Sequence, residues 1–432
     1  MQQNRQRWKA SASLLSLLKR LRPYWLAGLA LLFLLSGCND AGNNGNGNSP
    51  NGAPVNSSGV PHVADTWNNI HLFLTFDYNI SDPAAIAKHY DFVWGASVKN
   101  VSAFRTANPQ IFLTYYISFF RDTGVYGNNQ PRSLAYWKST HPDWILYRCD
   151  RTTPAYEFGD PNVPLDIANP AVVAWQVQTY AEPASKGGYD GIAADNVSLE
   201  NLSGACGTYV NGKWVQRYTG QPNDPQWSAD VITWLTRMQQ ALHQLSHPLA
   251  LVTNLTISNM SESVAQQVIS HTDGVLDESG FTNSGDSYLT GNDWVQAIQF
   301  MQNVQQQGKD YFVINEFSSV GPTETQWAVA SYLMGKDHSS SVYISPVQAY
   351  GSDIWTSDFD TPIGSPDGSM YQTQGVYARA YSNGQVLVNP SATASYTVTL
   401  PTGNHYRDLY GDAISGTVSM PPHSGLVLVR SS

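Results

Sequence analysis

Charge is what this chain has least of. Only 13% of its 432 residues are Asp, Glu, Lys or Arg, and 23 basic side chains face 33 acidic ones for a formal net charge of −10. Phosphate binding needs clustered Lys and Arg that displace counterions, so the absence of any basic patch after residue 40 argues against nucleic acid as the main partner. The ten His show no metal-ligand spacing such as His-Glu-x-x-His, so no metal is expected. A Gly-x-Ser-x-Gly elbow is missing too, which leaves a serine hydrolase without a visible nucleophile. Of only three Cys, two have no His partner in sequence and the third, Cys38, ends the N-terminal apolar run as the expected site of lipidation, so a thiol nucleophile is not indicated. Nothing points to a cofactor or to a protein partner.

What the chain has in excess is aromatic surface, with 13 Trp and 24 Tyr. That composition suits a rigid surface for a flat, polar ligand. The length implies two or three units with a core that needs no staples.

The N-terminus carries an address. Arg5, Arg7, Lys9, Lys19, Arg20 and Arg22 precede the apolar run "WLAGLALLFLLSGC", a charged region before a short hydrophobic one, as in an export signal. The run falls short of the about 20 residues that span a bilayer comfortably. Its end, Leu35 to Cys38, resembles a bacterial lipobox. Residues 1–37 are therefore expected to be a signal peptide and Cys38 the lipidated first residue of the mature chain, the alternative being an uncleaved anchor. Residues 38–62, rich in Asn, Gly, Ser and Pro, are expected to form a flexible tether. The protein is then held at the cell envelope, on the outer membrane or the outer face of the cytoplasmic membrane. In an exported chain the even pair Cys149 and Cys206 favours a disulfide, the alternative being two unpaired small core residues.

From Ile70 onward short apolar strands alternate with helix-like segments. The strands are "IHLFLTF" before Asp77, "DFVWG", "IFLTYYISF", "GYDGIAADN", "LALVTNLT", "DGVLDES", "YFVINEF" and "SVYIS". Between them, "NPAVVAWQVQTYAEPA" opens on Asn169 as N-cap with Pro170 first in the helix. "PQWSADVITWLTRMQQALHQL" lays Trp227, Val231, Trp234, Leu235, Met238 and Leu242 along one stripe. "NDWVQAIQFMQNVQQQG" closes on Gly308, and "GPTETQWAVASYLMG" begins near a Thr cap and closes on Gly335. Eight such units predict a (β/α)₈ TIM barrel over residues 63–370. An open doubly wound sheet competes, yet it usually follows its first strand with a Gly-rich phosphate loop, and "TFDYNISD" has none. Residues 371–432 alternate apolar and polar residues between turns, which predicts a small C-terminal antiparallel β-sandwich. The long connection from about Phe120 to Leu165 lies on the barrel's C-terminal face, and a Cys149–Cys206 bond ties it to the loop after strand four.

The chemistry lies in a repeat. "DGIAADN", Asp190 to Asn196, and "DGVLDES", Asp273 to Ser279, each open on Asp-Gly and place an acid five residues on. With a period of two, Asp195 and Glu278 share one height and one orientation. Ionised carboxylates do not belong in a barrel core without partners, but the C-terminal rim is where barrel enzymes put reactive groups. Two carboxylates there are the minimum for cleaving a glycosidic bond, one protonating the leaving oxygen and the other attacking carbon or activating water. Both the retaining and the inverting separation stay open at this point. Asp195 alone has a plainer explanation, as a helix cap or an ion-pair partner. Glu316, ending strand seven, supports the pair or serves as a surface or second-rank acid. Asp77 offers hydrogen bonds to sugar hydroxyls or caps a helix. Trp94, Tyr115, Tyr116 and Asn254 offer stacking faces and an amide to a pyranose, or simply pack. Asn196 is expected beside the site, facing away from Asp195.

These stretches carry a resemblance. "DFVWG", "HPDWILYRCD", "LDIANPAV", "GYDGIAADN", "DGVLDES" and the later "VLVNPS" make the chain from about Ile70 to Ser345 similar to the hypothetical glycosyl hydrolase-like barrel families, most closely the one numbered fifteen. The resemblance implies a TIM barrel and a carbohydrate substrate, with Asp195 as nucleophile or base and Glu278 as acid. The placement also resembles α-galactosidase-type barrels, whose two acids follow strands four and six. The expected protein is a lipid-anchored glycoside hydrolase acting on an envelope or extracellular polysaccharide. A non-catalytic carbohydrate-binding lipoprotein for polymer assembly or export, and a transglycosidase, are the rivals.

Overall fold

The computed structural model describes residues 49–124, 131–157, 161–255, 262–347 and 349–431. Eight short strands form one parallel sheet: β1 (Phe73–Thr75), β2 (Phe92–Trp94), β3 (Phe112–Ser118), β4 (Gly191–Val197), β5 (Ala250–Leu255), β6 (Gly274–Asp277), β7 (Asp310–Phe317) and β8 (Ser340–Pro346). A parallel Leu72–Val342 bridge and a 2.9 Å bond from the Val342 amide to the His71 carbonyl bring the last strand back to the first. The sheet is thereby a barrel, with every strand buried on both faces. The regular alternation weakens at the ends of the cycle. One helical turn, Pro83–Ile86, follows β1, and an irregular segment with the 3₁₀ turn Ser357–Asp360 follows β8.

Aromatic rings fix which residues point inward. Phe92 stacks on Phe312 at 3.9 Å between centroids, and Phe73 touches Phe92, Phe312 and Tyr343. The strand of Phe312 is a sheet neighbour of neither β1 nor β2, so its contacts with Phe73 and Phe92 are made across the lumen. Register neighbours share a face. Phe312 pairs with Leu276, and Leu276 with Asn254, so Asn254 points inward as well.

The helix Pro225–His243 buries Trp227, Val231, Trp234, Leu235, Met238 and Leu242, the stripe expected from its period, and Asp224 caps it by accepting from the Gln226 and Trp227 amides. Asn169 caps the helix beginning at Pro170, as expected. The helix Pro322–Gly335 differs from expectation: its N-cap is Gly321 and not Thr, and the Glu324 carboxylate reaches back to the Gly321 amide at 3.1 Å. Its residues Thr325 to Gly335 are all buried, because one side packs on the barrel and the other on the C-terminal sheet. There Tyr381 donates to the Leu333 carbonyl at 2.7 Å, and the Val427 amide donates to Gln326 at 3.0 Å. That C-terminal unit pairs a six-stranded and a two-stranded antiparallel sheet across Val376, Leu387, Val398, Tyr406, Met420 and Leu428.

Residues 49–62 depart from the expected flexible tether. Ala53, Val60 and Val63 are buried against the barrel, and small apolar residues at wide spacing were masked by the Asn/Gly/Ser composition around them. The strap crosses the N-terminal mouth of the barrel and ends with the Val63 amide donating to Asp310 Oδ2 at 3.1 Å. Burial holds the Asp310 carboxyl well above the usual carboxylate range, the Val63 amide opposing, the Asp273 charge adding and Lys309 opposing. The folded chain therefore binds this proton more tightly than the unfolded one, and its contribution to stability falls as pH rises above the ordinary Asp range. Asp310→Asn keeps an acceptor for Val63 and loses the titration. Thermal unfolding at about pH 5 and about pH 8 should show a smaller drop in Tm for the variant; an equal drop removes Asp310 from the account.

Above the opposite mouth, residues Tyr147–Arg148, Ala205–Val210 and Lys213–Gln216 form a three-stranded antiparallel sheet. It stands over its own cluster of Trp137, Trp144, Ile145, Tyr147, Val163, Leu165 and Val172. Cys149 and Cys206 are bonded with Cα atoms 5.1 Å apart, across 57 residues of sequence. Closing a loop of that length contributes about 4 kcal/mol by the chain-entropy estimate. Denaturant unfolding of a Cys149→Ser/Cys206→Ser variant should show a loss approaching that size, and a loss below about 1 kcal/mol would mean that the excursion holds without its bond.

Candidate active site

The strands deliver four polar side chains to one level of the lumen. On β4, Gly191, Ala193 and Asp195 follow the inward phase: Ala193 pairs with Tyr116 and Asp195 with Ser118 of β3. Ala194 pairs with Thr253 and Asn254 with Leu276, which puts Glu278 one same-face step beyond Leu276. In a barrel of eight strands and shear eight the register climbs one residue per strand. A two-residue offset over two strands thus returns Asp195 and Glu278 to one layer.

Asn254 stands between them. Its Nδ2 donates to Asp195 Oδ1 at 2.8 Å and to Glu278 Oε2 at 2.9 Å. Those oxygens are therefore no farther apart than the two distances together, about 5.7 Å, and about 5 Å at the angle between the two N–H bonds of a planar amide. Asp195 Oδ2 accepts from the Tyr116 hydroxyl at 2.6 Å and from Asn196 Nδ2 at 2.8 Å. Glu278 Oε1 accepts from the Tyr350 hydroxyl at 3.0 Å. Burial holds the Tyr116 hydroxyl well above its ordinary range; the Asp195 charge adds to this and Arg121 opposes it. Tyr116 therefore keeps its proton and remains a donor to Asp195.

Asn196 corrects an expectation. It does not face away from Asp195, because its backbone is left-handed at φ 59° and the β4–β5 register shifts between Ala194 and Val197. That bulge turns the side chain back onto its neighbour. Asn tolerates this conformation better than most residues.

Other expected residues are placed elsewhere. Asp77 is not open to a sugar: it is 1% exposed, and its carboxylate accepts from the Ser97 amide at 2.9 Å, from the Ser97 hydroxyl and from Asn100 Nδ2 at 2.8 Å. It holds the start of helix Val98–Ala107, and the left-handed Phe76, φ 60°, is what breaks the alternation of β1 and redirects it. Tyr115 points outward and packs edge-on against Tyr189 at 5.4 Å and beside Tyr180 at 6.5 Å. Strand alternation permits only one of two consecutive tyrosines to enter the lumen, and Tyr116 is that one. Trp94 shares the inward phase of Phe92 but is 2% exposed, so it fills the barrel and presents no stacking face. Glu316 is inward on β7, buried, in register with Ser345, one same-face step above the level that pairs with Glu278.

Several site residues carry no strand-end signal. Tyr350 lies in the irregular segment after β8. Phe76 meets the Tyr116 ring at 5.4 Å and Tyr78 at 5.5 Å, and Tyr78 is 47% exposed, so these two rings make an aromatic wall beside Asp195. Arg121, just past β3, is buried, donates through Nε to Ser118 Oγ at 3.1 Å and stands 3.8 Å from Glu157. Seeking cations at strand ends as well as acids would have found Arg121 in "SFFRD".

The model of hypothetical glycosyl hydrolase family 15 matches residues 105–385, well over half of the chain. Among solved structures, the chain is similar to a noncanonic maltogenic α-amylase from Thermotoga neapolitana at 10% identity, with a TM-score of 0.46 over 84% of this chain and 99% of that one. It is similar to a GH27 β-L-arabinopyranosidase from Geobacillus stearothermophilus at 9% identity and a TM-score of 0.44, over 84% and 97%. An α-amylase from Malbranchea cinnamomea gives 11% and 0.44, over 84% and 97%. At these values the likenesses decide neither substrate nor mechanism. No curated protein matches the chain.

Proposed function

Since the chain belongs to hypothetical glycosyl hydrolase family 15, we propose that it cleaves O-glycosidic bonds of an envelope or extracellular polysaccharide with retention at the anomeric carbon, using Asp195 as nucleophile and Glu278 as acid and then base. The observation that carries this reading is the shared Asn254 amide. It holds one oxygen of each carboxylate within about 5.7 Å of the other, close to the about 5–5.5 Å of a retaining pair and short of the about 6.5 Å or more at which an inverting pair admits a water. Asp195, clamped within a strand by three donors, suits the group that must hold still at bonding distance from carbon. Glu278 sits just past its strand with a tyrosine hydroxyl on one oxygen, a partner able to donate or accept as the carboxyl changes protonation.

In the first step the anomeric carbon forms a bond to an Asp195 oxygen as its bond to the leaving oxygen breaks, and the Glu278 proton passes to that oxygen. Water then gives a proton to Glu278 and its oxygen to the anomeric carbon, and the Asp195 ester breaks. A covalent sugar intermediate also accepts a sugar hydroxyl in place of water, which keeps transglycosylation as a second reading of the same pair. Incubating the protein with a panel of envelope and exopolysaccharides, with and without acceptor sugars, separates these outcomes. New reducing ends support hydrolysis, and elongated acceptors support transfer. Binding without cleavage on any polymer would overturn the enzymatic reading in favour of a carbohydrate-binding lipoprotein.

A further inference from the structure

Phe76 holds a backbone conformation that its residue type does not choose. Its φ is 60°, a left-handed angle at which a bulky side chain is strained. Such strain persists only where the surroundings over-determine it, and it gathers where ligands are held. Here the surroundings are shaped to the ring. The Phe76 amide donates to the Trp94 carbonyl at 2.7 Å, and a Cβ at Gly95, φ 72°, would lie 2.8 Å from the Phe76 ring and 3.3 Å from Tyr116 Cβ. Only a glycine leaves the ring that slot. Tyr78 has the same support, since a Cβ at Gly351, φ 79°, would lie 2.7 Å from its ring. The Asn79 amide donates to the Gly351 carbonyl at 3.1 Å and Asn79 Nδ2 to the Tyr350 carbonyl at 2.8 Å, which ties the loop after β1 to the segment after β8 where the two rings stand.

These contacts make an arc from one acid to the other. From Asp195 it runs through Tyr116, whose hydroxyl donates to that acid, to Phe76 at 5.4 Å and on to Tyr78 at 5.5 Å between centroids. Tyr78 lies over Gly351, next to Tyr350, whose hydroxyl donates to Glu278. Asn254 joins the same two acids on the other side, so a sugar placed between them has the arc as its facing wall. Plain packing would need neither a strained backbone nor a ring left 47% exposed, as Tyr78 is. We propose that Phe76 and Tyr78 are the stacking platform for the sugar that reacts at Asp195, and that this sugar is a neutral pyranose and not a uronate. This deepens the glycosidase reading and rests on it for the reaction at Asp195. The C–H face of a pyranose suits the negative face of an aromatic ring, which an anion avoids. The charges agree: Asp195, Glu278 and Glu316 enter the mouth, and the cation beside them, Arg121, already stands 3.8 Å from Glu157. A uronate would add like charge to that mouth.

The test measures binding without turnover. The full chain is mixed with the α and β methyl glycosides of glucose and galactose and of their uronates, and saturation-transfer-difference NMR reads which sugar protons lie against it. A neutral glycoside should bind with the strongest transfer to the C–H protons of one face, and more tightly than its uronate by about fivefold or more. Phe76→Leu and Tyr78→Leu keep apolar bulk and remove the flat face. Each should weaken that binding by about twofold to tenfold, and both together by about tenfold or more. A role in packing alone would instead lower Tm and leave binding unmoved. If near-ultraviolet circular dichroism shows Phe76→Leu unfolded, Tyr78→Leu, at a half-exposed ring, carries the test. Unchanged binding in the folded variants, a uronate that binds as tightly as its neutral partner, or no transfer to any of these sugars overturns the proposal. Ring-dependent binding of a neutral glycoside with no polymer cleaved supports the platform and removes the glycosidase reading, a separate result.

Discussion

Asp195→Asn lowers kcat/KM on any cleaved glycan by on the order of 10⁴-fold or more, because the amide cannot form the glycosyl ester through which the retaining path runs. The substitution is nearly isosteric, so the fold should survive it. Asp195 is held by Tyr116, Asn196 and Asn254. In the variant the remaining carbonyl oxygen still accepts from one or two of these donors, while the new amide nitrogen meets another donor head-on. A drop of a few degrees in Tm is the expected side effect. Loss of activity with an unfolded protein would say nothing about chemistry, so near-ultraviolet circular dichroism accompanies the assay. Retention of more than about a tenth of the wild-type rate in a folded variant would rule out Asp195 as nucleophile.

Glu278→Gln has a different signature. General acid assistance contributes about 10²–10⁴-fold, and only when the leaving oxygen needs the proton. With a sugar leaving group, kcat/KM should fall by that amount. With an activated aryl glycoside of the same sugar the phenolate departs unaided, so kcat/KM stays near wild type while kcat falls, because the second step still needs a base to activate water. The glycosyl-enzyme then accumulates, giving a burst of phenol and a depressed KM. Equal losses on both kinds of substrate would remove Glu278 from the acid role. Tyr350→Phe, which deletes the hydroxyl on Glu278 Oε1, should weaken the same step more mildly.

The barrel was legible because its strands are short apolar runs with turns between, and because the helix Pro225–His243 writes its buried stripe plainly in Trp, Val, Leu and Met. The acid pair was legible for a narrower reason. "DGIAADN" and "DGVLDES" repeat one phase, and the two-residue register offset across two strands equals what the barrel's shear demands. Asn254 is visible in the sequence as a polar strand end, but its bridge between the acids depends on β5 lying between β4 and β6, which is a property of the sheet.

The rest escaped where the backbone leaves its regular path. A left-handed Phe76 turned Asp77 from the lumen to a helix start, and a left-handed Asn196 turned its amide back onto Asp195. Phe76 gives no sign of that conformation, and Asn196 only the general tolerance of Asn for it, which does not single out one Asn among many. Tyr350 and Tyr78 come from segments without period. The strap at 49–62 was hidden by composition, its few buried apolar residues scattered among polar ones.

The central claim is a retaining pair whose facing oxygens are held by one amide within about 5.7 Å of each other. The most direct measurement is proton NMR of the first sugar released from a cleaved glycan, read before mutarotation scrambles the anomers. The account predicts that the first product carries the anomeric configuration of the bond that was cut. A first product of the opposite configuration would mean that water attacks directly, and would contradict it.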